Sequence, residues 1–253
     1  MSAKRRLVTI SISHYCEKAR WALDRASLEY VEEGHYPNAH YIASFMLARQ
    51  PTMPILVDNG QVIADSTAII RHLDNVLSAD TRLFPDDPTA MEVEKLEVQF
   101  DTDLGPAARC WGYWHWFGVI GKLVKYGGIH TPRFERIMAP YVIHLMKHMT
   151  RIRFKVTDDG AAQSLATVRS VFDEVGRRLS DGRRYLTGGC FTAADLGFAS
   201  LAAPVLLPAK HGVPLPTLDE APPAMREEIE KLRETPAGKF VLRLYAQDRH
   251  SRA

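Results

Sequence analysis

The sequence predicts a two-part protein: an α/β N-terminal part with the element order βαβαββα, and an all-helical C-terminal part. Strand and helix patterns alternate over the first part, which includes a clear hairpin signal at Asn59-Gly60, and later periodic segments have helical spacing. The turn-rich stretch Leu83–Pro88 separates the two patterns. We therefore expect domains over residues 1–82 and 89–253, with a linker at residues 83–88.

The first elements follow from short apolar runs and their boundaries. Leu7–Ile10 predicts a buried strand, and the segment from Cys16 to Ala26 predicts a helix with its apolar side chains on one face. Tyr30-Val31 predicts a second strand. A weaker helical pattern from Ala39 to Ala48 ends before two prolines, which prevent its continuation.

The hairpin is the sharpest local signal. Ile55–Asp58 and Gln61–Ala64 flank Asn59-Gly60, a dipeptide that accepts positive φ at both central positions of a two-residue turn. A helix from Ser66 to Leu77 is predicted to follow and to pack on the sheet.

The C-terminal part is predicted to begin with a helix capped by Asp87, with Pro88 at its first position and an interruption at Gly105-Pro106. Thr192 and Asp195 form a capping box, which predicts a buried, central helix. The full set of later predicted helices is Arg133–Phe154, Ala161–Leu179, Thr192–Leu207 and Met225–Thr235.

Composition and charge exclude several classes of protein. Hydrophobic residues make up 46% and charged residues 25%, which is typical of folded globular chains and not of disordered ones. Basic residues (32) scarcely exceed acidic ones (30) and are scattered, so no nucleic-acid partner is expected. No apolar run has the length of a membrane span. The three dispersed cysteines, Cys16, Cys110 and Cys190, favour a reducing compartment, and we expect a cytoplasmic location with no membrane partner.

Candidate chemistry lies in the turn from the first strand into the first helix, which contains Ser13 and Cys16. Such a turn brings backbone N–H groups and the positive helix end to the sheet edge, where an anion is stabilised. A serine hydroxyl there can donate a hydrogen bond to a thiolate. Each residue also has a structural explanation, Ser13 as a helix cap and Cys16 as a small buried side chain.

Several motifs, in this order and spacing, resemble the cytosolic glutathione S-transferases. They are Ser13-x-x-Cys16, Met53-Pro54, Asp65-Ser66 and Leu186-x-Gly188-x-x-x-Thr192-x-x-Asp195-Leu196, within a resemblance that covers about residues 5–245. The resemblance implies a thioredoxin-like N-terminal domain, an all-helical C-terminal domain and a homodimer. It also implies transfer of glutathione, as co-substrate, to a small hydrophobic electrophile, the chemistry of detoxification.

The resemblance also implies roles for single residues. Ser13 matches the serine of zeta-like members, a position that holds cysteine in omega-like ones, and Cys16 matches the second cysteine of a glutaredoxin C-x-x-C motif. Met53 matches the residue whose backbone pairs with the cysteinyl part of glutathione, and Pro54 matches the family's cis-proline.

The pair Asp65 and Ser66 matches the two residues that hold the γ-glutamyl end of glutathione. Ser66 could instead cap the third helix, and the two roles are compatible.

Two positions depart from the family pattern. Thr52 stands where relatives often carry a lysine that helps hold the glycyl carboxylate of glutathione, and the candidate substitutes are Arg49, Gln50 and His40. His14 replaces the proline common after the first motif residue, which leaves that turn less rigid.

The aromatic segment Arg109–Phe117 offers a pocket for a second substrate. Helical spacing places Arg109, Tyr113 and Trp116 on one face, with core or dimer packing as the alternative interpretation. His144 and His148 have i, i+4 spacing but lack the glutamate of the metal-binding helix motif, so no metal is expected.

Two alternatives to conjugation with a serine-stabilised thiolate stay open. The first is glutathione-dependent isomerisation, dehalogenation or thiol transfer that uses Cys16. The second is a non-catalytic binding or scaffold module, because a fold does not determine a function.

Overall fold

The computed structural model describes residues 5–78 and 81–250. Its N-terminal part confirms the predicted order βαβαββα. The elements are β1 (Arg5–Ile10), α1 (His14–Arg25), β2 (Tyr30–His35), α2 (His40–Ala48), β3 (Ile55–Asp58), β4 (Gln61–Ala64) and α3 (Ser66–Asp74).

These strands form one mixed, thioredoxin-like sheet in the order β2-β1-β3-β4. β1 is parallel to β2 and antiparallel to β3, and β3 is antiparallel to β4. The hairpin turn is as predicted, with φ of 50° at Asn59 and 85° at Gly60. α1 and α3 pack against each other and contribute to the main core.

The C-terminal part is all-helical, as predicted. Its elements are α4 (Ala90–Gln99), a π-helical turn (Phe100–Leu104), α5 (Gly105–Trp116), α6 (Ile120–Gly127), α7 (Arg133–Arg153), α8 (Asp158–Arg178), α9 (Ala193–Leu206), α10 (Pro223–Glu234) and α11 (Pro236–Gln247). Nowhere in the described ranges is a helix both long enough and apolar enough to cross a membrane.

Helix α9 lies at the centre of the molecule, where it packs against α1, α4 and α5. The predicted capping box is confirmed, since the Asp195 carboxylate accepts a 2.9 Å hydrogen bond from the Thr192 N–H. The same carboxylate accepts a second hydrogen bond, from the Leu186 N–H at 2.8 Å. Burial raises the pKa of Asp195 to about 6.

The predicted start of α4 and the predicted end of α3 are wrong, and α8 begins three residues before the predicted Ala161. Helix α4 begins at Ala90, not at Pro88, because the Asp87 carboxylate accepts the N–H of Thr89 (2.7 Å) and closes a separate turn before the helix. Helix α3 ends at Asp74, one turn before Leu77; the Asp74 carboxylate accepts the N–H groups of Leu83 and Phe84 at 2.9 and 2.8 Å.

The predicted interruption at Gly105-Pro106 is confirmed and takes the form of the π-helical turn. The Gly105 N–H donates to the Phe100 carbonyl, five residues back. The next carbonyl along the helix, that of Asp101, would accept the N–H of residue 106, but Pro106 has no N–H. The Tyr15 hydroxyl of α1 donates a hydrogen bond to this carbonyl instead.

Candidate functional site

A cavity of about 400 Å³ lies between the first turn of α1, the segment before β3, and helices α5 and α7. It brings together many of the predicted site residues. Those that line it are Ser13, Met53, Asp65, Arg109, Tyr113 and Trp116, with His14, His40 and Thr52 beside them. Cys16, Pro54, Ser66, Arg49 and Gln50 are not part of its lining.

Ser13 occupies the N-cap position of α1, but its hydroxyl makes no capping hydrogen bond. Its backbone forms the turn instead, with the Ser13 N–H donating to Ile10 at 2.9 Å and the Ser13 carbonyl accepting from Glu17 at 3.0 Å. The structure therefore does not support the interpretation of Ser13 as a simple capping residue.

The next two side chains fasten this turn to the C-terminal helices. His14 Nε2 lies 3.0 Å from the Gly105 carbonyl oxygen, and a carbonyl only accepts, so Nε2 carries the hydrogen. Burial, with the charge of Arg109, lowers the pKa of His14 to about 3, and the ring is neutral. The Tyr15 hydroxyl donates to the Asp101 carbonyl at 2.8 Å, the acceptor that proline leaves unsatisfied.

Cys16 points away from the cavity into the space between the sheet and α2. Its side chain is 0% exposed and packs with Val8 and Ile55, while Sγ accepts the Ile10 N–H at 3.4 Å. Burial raises its pKa to about 11, so the thiol is protonated at neutral pH. The structure does not support Cys16 as a nucleophile.

The segment before β3 presents free backbone groups to the cavity. The Met53-Pro54 peptide bond is cis, as expected, and the Pro54 carbonyl accepts the Asp65 N–H at 3.1 Å. Met53 itself makes no backbone hydrogen bond within residues 5–78 and 81–250. Its N–H and carbonyl are therefore available to an extended peptide ligand.

The residue that caps α3 is Asp65, and the suggestion that Ser66 caps it is wrong. The Asp65 carboxylate accepts the N–H groups of Thr67 and Ala68 at 2.8 and 3.2 Å, with the backbone at φ 90°. Ser66 is the first helical residue. Its side chain is 1% exposed and, among the described residues, its hydroxyl oxygen has no hydrogen-bond partner.

The aromatic face of α5 forms the opposite wall. Tyr113 stacks on Phe117 and Phe154, with ring centroids 5.2 and 6.1 Å apart, and burial raises its pKa. Trp116 is 7% exposed and contributes to both the cavity and the main core. The expected pocket face and the alternative of core packing therefore both apply to this helix.

Arg109 is the charged member of that face. Its guanidinium carbon lies 4.1 Å from the Phe154 ring centroid and 5.8 Å from that of Tyr15. Its Nε is buried without a hydrogen-bond partner, and no carboxylate pairs with it within the part of the chain that the structure describes.

Family models identify the two halves independently. The model for the glutathione S-transferase N-terminal domain matches residues 7–78, and the model for the glutathione S-transferase C-terminal domain matches residues 158–227. The chain belongs to the glutathione S-transferase family. No curated protein matches the sequence significantly.

Solved structures of similar fold span nearly the whole chain. A glutathione S-transferase from Rhodospirillum rubrum F11 is 20% identical, with a TM-score of 0.58 over 96% of this chain and 98% of that one. The beta-etherase LigF from Sphingobium sp. strain SYK-6 is 16% identical, with a TM-score of 0.60 over 95% and 99%. Glutathione transferase GSTFuA3 from Phanerochaete chrysosporium is 17% identical, with a TM-score of 0.63 over 100% and 99%. At these identities the likeness shows the fold alone.

Thr52 stands where the family often has a lysine, and none of the three suggested substitutes places a charged cation in the cavity lining. Arg49 ends α2 at φ 54° with its side chain exposed, and neither it nor Gln50 lines the cavity. His40 Nδ1 accepts the Asn38 N–H at 3.1 Å, while Nε2 donates to Pro51 at 3.3 Å. Burial lowers its pKa to about 4, so the ring is neutral.

Among the described residues, the cation that lines this side of the cavity is Arg153, which no sequence motif indicated. It is the last residue of α7, and its guanidinium carbon lies 5.4 Å from the Tyr41 ring centroid. Tyr41, His40 and Thr52 line the same cavity. Arg153 forms no ion pair in the described ranges. No local signal marks it, because only the tertiary fold brings the end of α7 to this site.

The remaining candidates lie outside the cavity. His144 and His148 are exposed on α7, and in the described portion of the chain no group of three or more ligating side chains could hold a metal ion. Cys110 is buried and Cys190 is exposed, both as free thiols.

Proposed function

We propose that this glutathione S-transferase family member is an enzyme that conjugates glutathione to a small hydrophobic electrophile, with Ser13 stabilising the thiolate. One observation carries the proposal. A serine hydroxyl that accepts no capping hydrogen bond from its own helix lies at the N-terminus of α1 and lines a cavity shared with the unpaired backbone of Met53.

The cysteinyl part of glutathione pairs with the Met53 backbone, which puts its sulfur beside Ser13. The γ-glutamyl carboxylate then lies at the N-terminus of α3, where helix N–H groups favour an anion. The Ser66 hydroxyl, next to the lining residue Asp65 and just behind the cavity lining, supplies the donor there. A buried hydroxyl without a partner costs about 1 to 3 kcal/mol, and a bound carboxylate removes that cost. The Asp65 carboxylate faces the γ-glutamyl ammonium.

Arg153 holds the glycyl carboxylate in place of the family's lysine. It is the cation beside Tyr41, His40 and Thr52, and its charge contributes to the low pKa of His40. Because Arg153 comes from α7, glutathione bound in this way contacts both parts of the chain.

The residues present are sufficient to ionise the thiol. Lowering a thiol pKa of about 8.5 by two units requires about 2.7 kcal/mol. A hydrogen bond to a charged group contributes about 1.5 to 3 kcal/mol, and a helix N-terminus about 0.3 to 2 kcal/mol. The Ser13 hydroxyl and the first turn of α1 together meet the requirement.

The reaction then needs only positioning. The thiol proton leaves to solvent, and the thiolate sulfur forms a bond to the electrophilic carbon while the leaving group departs with its electron pair. The second substrate lies against Tyr113, Trp116 and Phe154, which present an apolar surface to it.

The two alternatives differ from this proposal in measurable ways. Thiol transfer through Cys16 requires a reactive thiolate, and the buried thiol with its raised pKa disfavours it. A scaffold module requires no glutathione binding at all.

Calorimetric titration with reduced glutathione tests the proposal. The wild type should bind saturably, and Ser66→Ala should weaken binding about 10- to 100-fold through loss of a hydrogen bond to a charged group. Ser180→Ala, at an exposed serine outside the cavity, is the matched control and should bind like the wild type. Absence of binding at millimolar glutathione would contradict the proposal and favour the scaffold.

A further inference from the structure

We propose that the second-substrate part of the cavity selects electrophiles that carry a carboxylate or a similar anionic group on an aromatic body, and that Arg109 is the residue that binds this group. The inference rests on the proposed function and narrows its substrate class.

The cavity wall carries few positive charges that are not already paired. Lys122 also lines the cavity, but it pairs with Glu220 at 2.6 Å. The lining histidines His14, His40 and His211 all have lowered pKa values because of their burial. Among the described residues, the lining cations without an ion pair are therefore Arg109 and Arg153.

Arg109 lies against an aromatic ring. Its guanidinium carbon is over the Phe154 ring, 4.1 Å from the ring centroid, and is 5.8 Å from the centroid of Tyr15. A cation–π contact of this kind does not use the N–H donors of the guanidinium, so its Nη groups remain available to a ligand. Those donors match the two oxygens of a carboxylate.

The positive charge of Arg109 has no counter-ion among the described residues. A partly buried cation without a counter-ion is unfavourable, and an arriving anion offsets that cost. The glutathione carboxylates are already assigned to Ser66 and Arg153, which leaves Arg109 for the second substrate. The neighbouring Tyr113, Trp116 and Phe154 suit an aromatic body attached to the anion.

Two matched aryl chlorides provide the kinetic test. 4-Chloro-3,5-dinitrobenzoate and 2-chloro-1,3-dinitrobenzene differ only in the carboxylate, and in both the sulfur bonds to the ring carbon as chloride leaves with the electron pair. The wild type should prefer the carboxylate by at least about tenfold in kcat/KM. Arg109→Gln should bring this ratio close to one, and Arg109→Lys should keep part of it. Arg133→Gln, at an exposed arginine of α7 outside the cavity, should keep the wild-type ratio.

A binding measurement without glutathione separates this inference from the proposed function. Calorimetry with 3,5-dinitrobenzoate and 1,3-dinitrobenzene should give a ratio of dissociation constants that favours the acid in the wild type and collapses in Arg109→Gln. That result would support the inference even if no conjugation were found, in which case the proposed function would fail alone. Equal affinity of the wild type for both compounds, or an unchanged ratio in Arg109→Gln, would overturn the inference while glutathione binding remained intact.

Discussion

His14 Nε2 donates a hydrogen bond of 3.0 Å to the carbonyl oxygen of Gly105, across the boundary between the α/β part and the helices. It fixes the turn that carries Ser13 relative to α5, the helix that carries Arg109 and Tyr113. The Cβ of any other residue at Gly105 would lie 2.2 Å from the Tyr15 hydroxyl, so a larger residue there would displace the Tyr15 ring from its hydrogen bond to Asp101.

His14→Leu removes this hydrogen bond, while the Gly105 carbonyl keeps its acceptor role within α5. We expect a loss of about 0.5 to 1.5 kcal/mol in the free energy of unfolding at pH 7.5, measured by urea denaturation. An equal or higher stability of the variant would contradict this role of the hydrogen bond.

The pH dependence of that loss is a separate prediction. Because the pKa of His14 is lowered to about 3, the unfolded chain binds a proton below about pH 6.5 that the folded chain does not, and this destabilises the wild type as the pH falls. The variant has no histidine at position 14, so its stability lacks this dependence on pH. The difference in unfolding free energy between wild type and His14→Leu should therefore shrink by about 1 to 2 kcal/mol between pH 7.5 and pH 5.

Arg249→Met should be strongly destabilising. Arg249 Nε donates to Glu17 Oε1 at 2.7 Å, and both side chains are buried. Burial opposes ionisation of Glu17, but its interactions with His211, Arg249 and Arg20 outweigh burial and lower its pKa to about 2. Breaking a buried ion pair on one side costs about 3 to 5 kcal/mol.

The control for Arg249 is Lys239→Met in α11. Lys239 pairs with Glu234 at 3.0 Å, but both side chains are exposed, and such pairs contribute about 1 kcal/mol or less. Similar losses in the two variants, measured by urea denaturation, would contradict the importance of the buried pair.

Alkylation separates the cysteines by burial. Iodoacetamide at pH 7.5 should modify Cys190, which is exposed, and leave Cys16 unmodified, because that thiol is fully buried with its pKa raised to about 11. Mass spectrometry of the digested protein gives both extents in one sample. Rapid modification of Cys16 in the folded protein would contradict its burial and would favour thiol transfer as the function.

Arg153→Gln tests the glycyl anchor. The wild type should bind glutathione about tenfold more tightly than its glycyl monoethyl ester, which lacks that carboxylate, and Arg153→Gln should bind the two with similar affinity. Arg49→Gln is the matched control, since Arg49 lies outside the cavity lining. If Arg49→Gln removed the preference and Arg153→Gln kept it, the anchor would belong to Arg49.

Local chemistry explains which features the sequence could predict. The hairpin at Asn59-Gly60 and the capping box of α9 depend on a few adjacent residues, and both are confirmed. The strand β2 is longer than predicted, because the charged Glu32 and Glu33 interrupt its apolar pattern. In the folded chain these two carboxylates pair with Arg20 and Arg6.

Features that depend on distant contacts could not be predicted. Lys18 is fully buried because Glu97 and Asp101 accept from its Nζ at 2.7 and 2.6 Å, and those acids lie on α4 and the π-helical turn. Arg153 likewise reaches the cavity only through the packing of α7. The helices α6 and α11 were not identified from the sequence.

The pKa of the bound glutathione thiol tests the central claim most directly. The ultraviolet absorbance of the thiolate would be titrated from pH 5 to pH 9 at saturating glutathione, in the wild type and in Ser13→Ala. The wild type should ionise the thiol about two pH units below its ordinary pKa of about 8.5, and Ser13→Ala should raise this value by about one unit or more. An ordinary thiol pKa in the wild type, or the same lowered pKa in Ser13→Ala, would contradict the role assigned to Ser13.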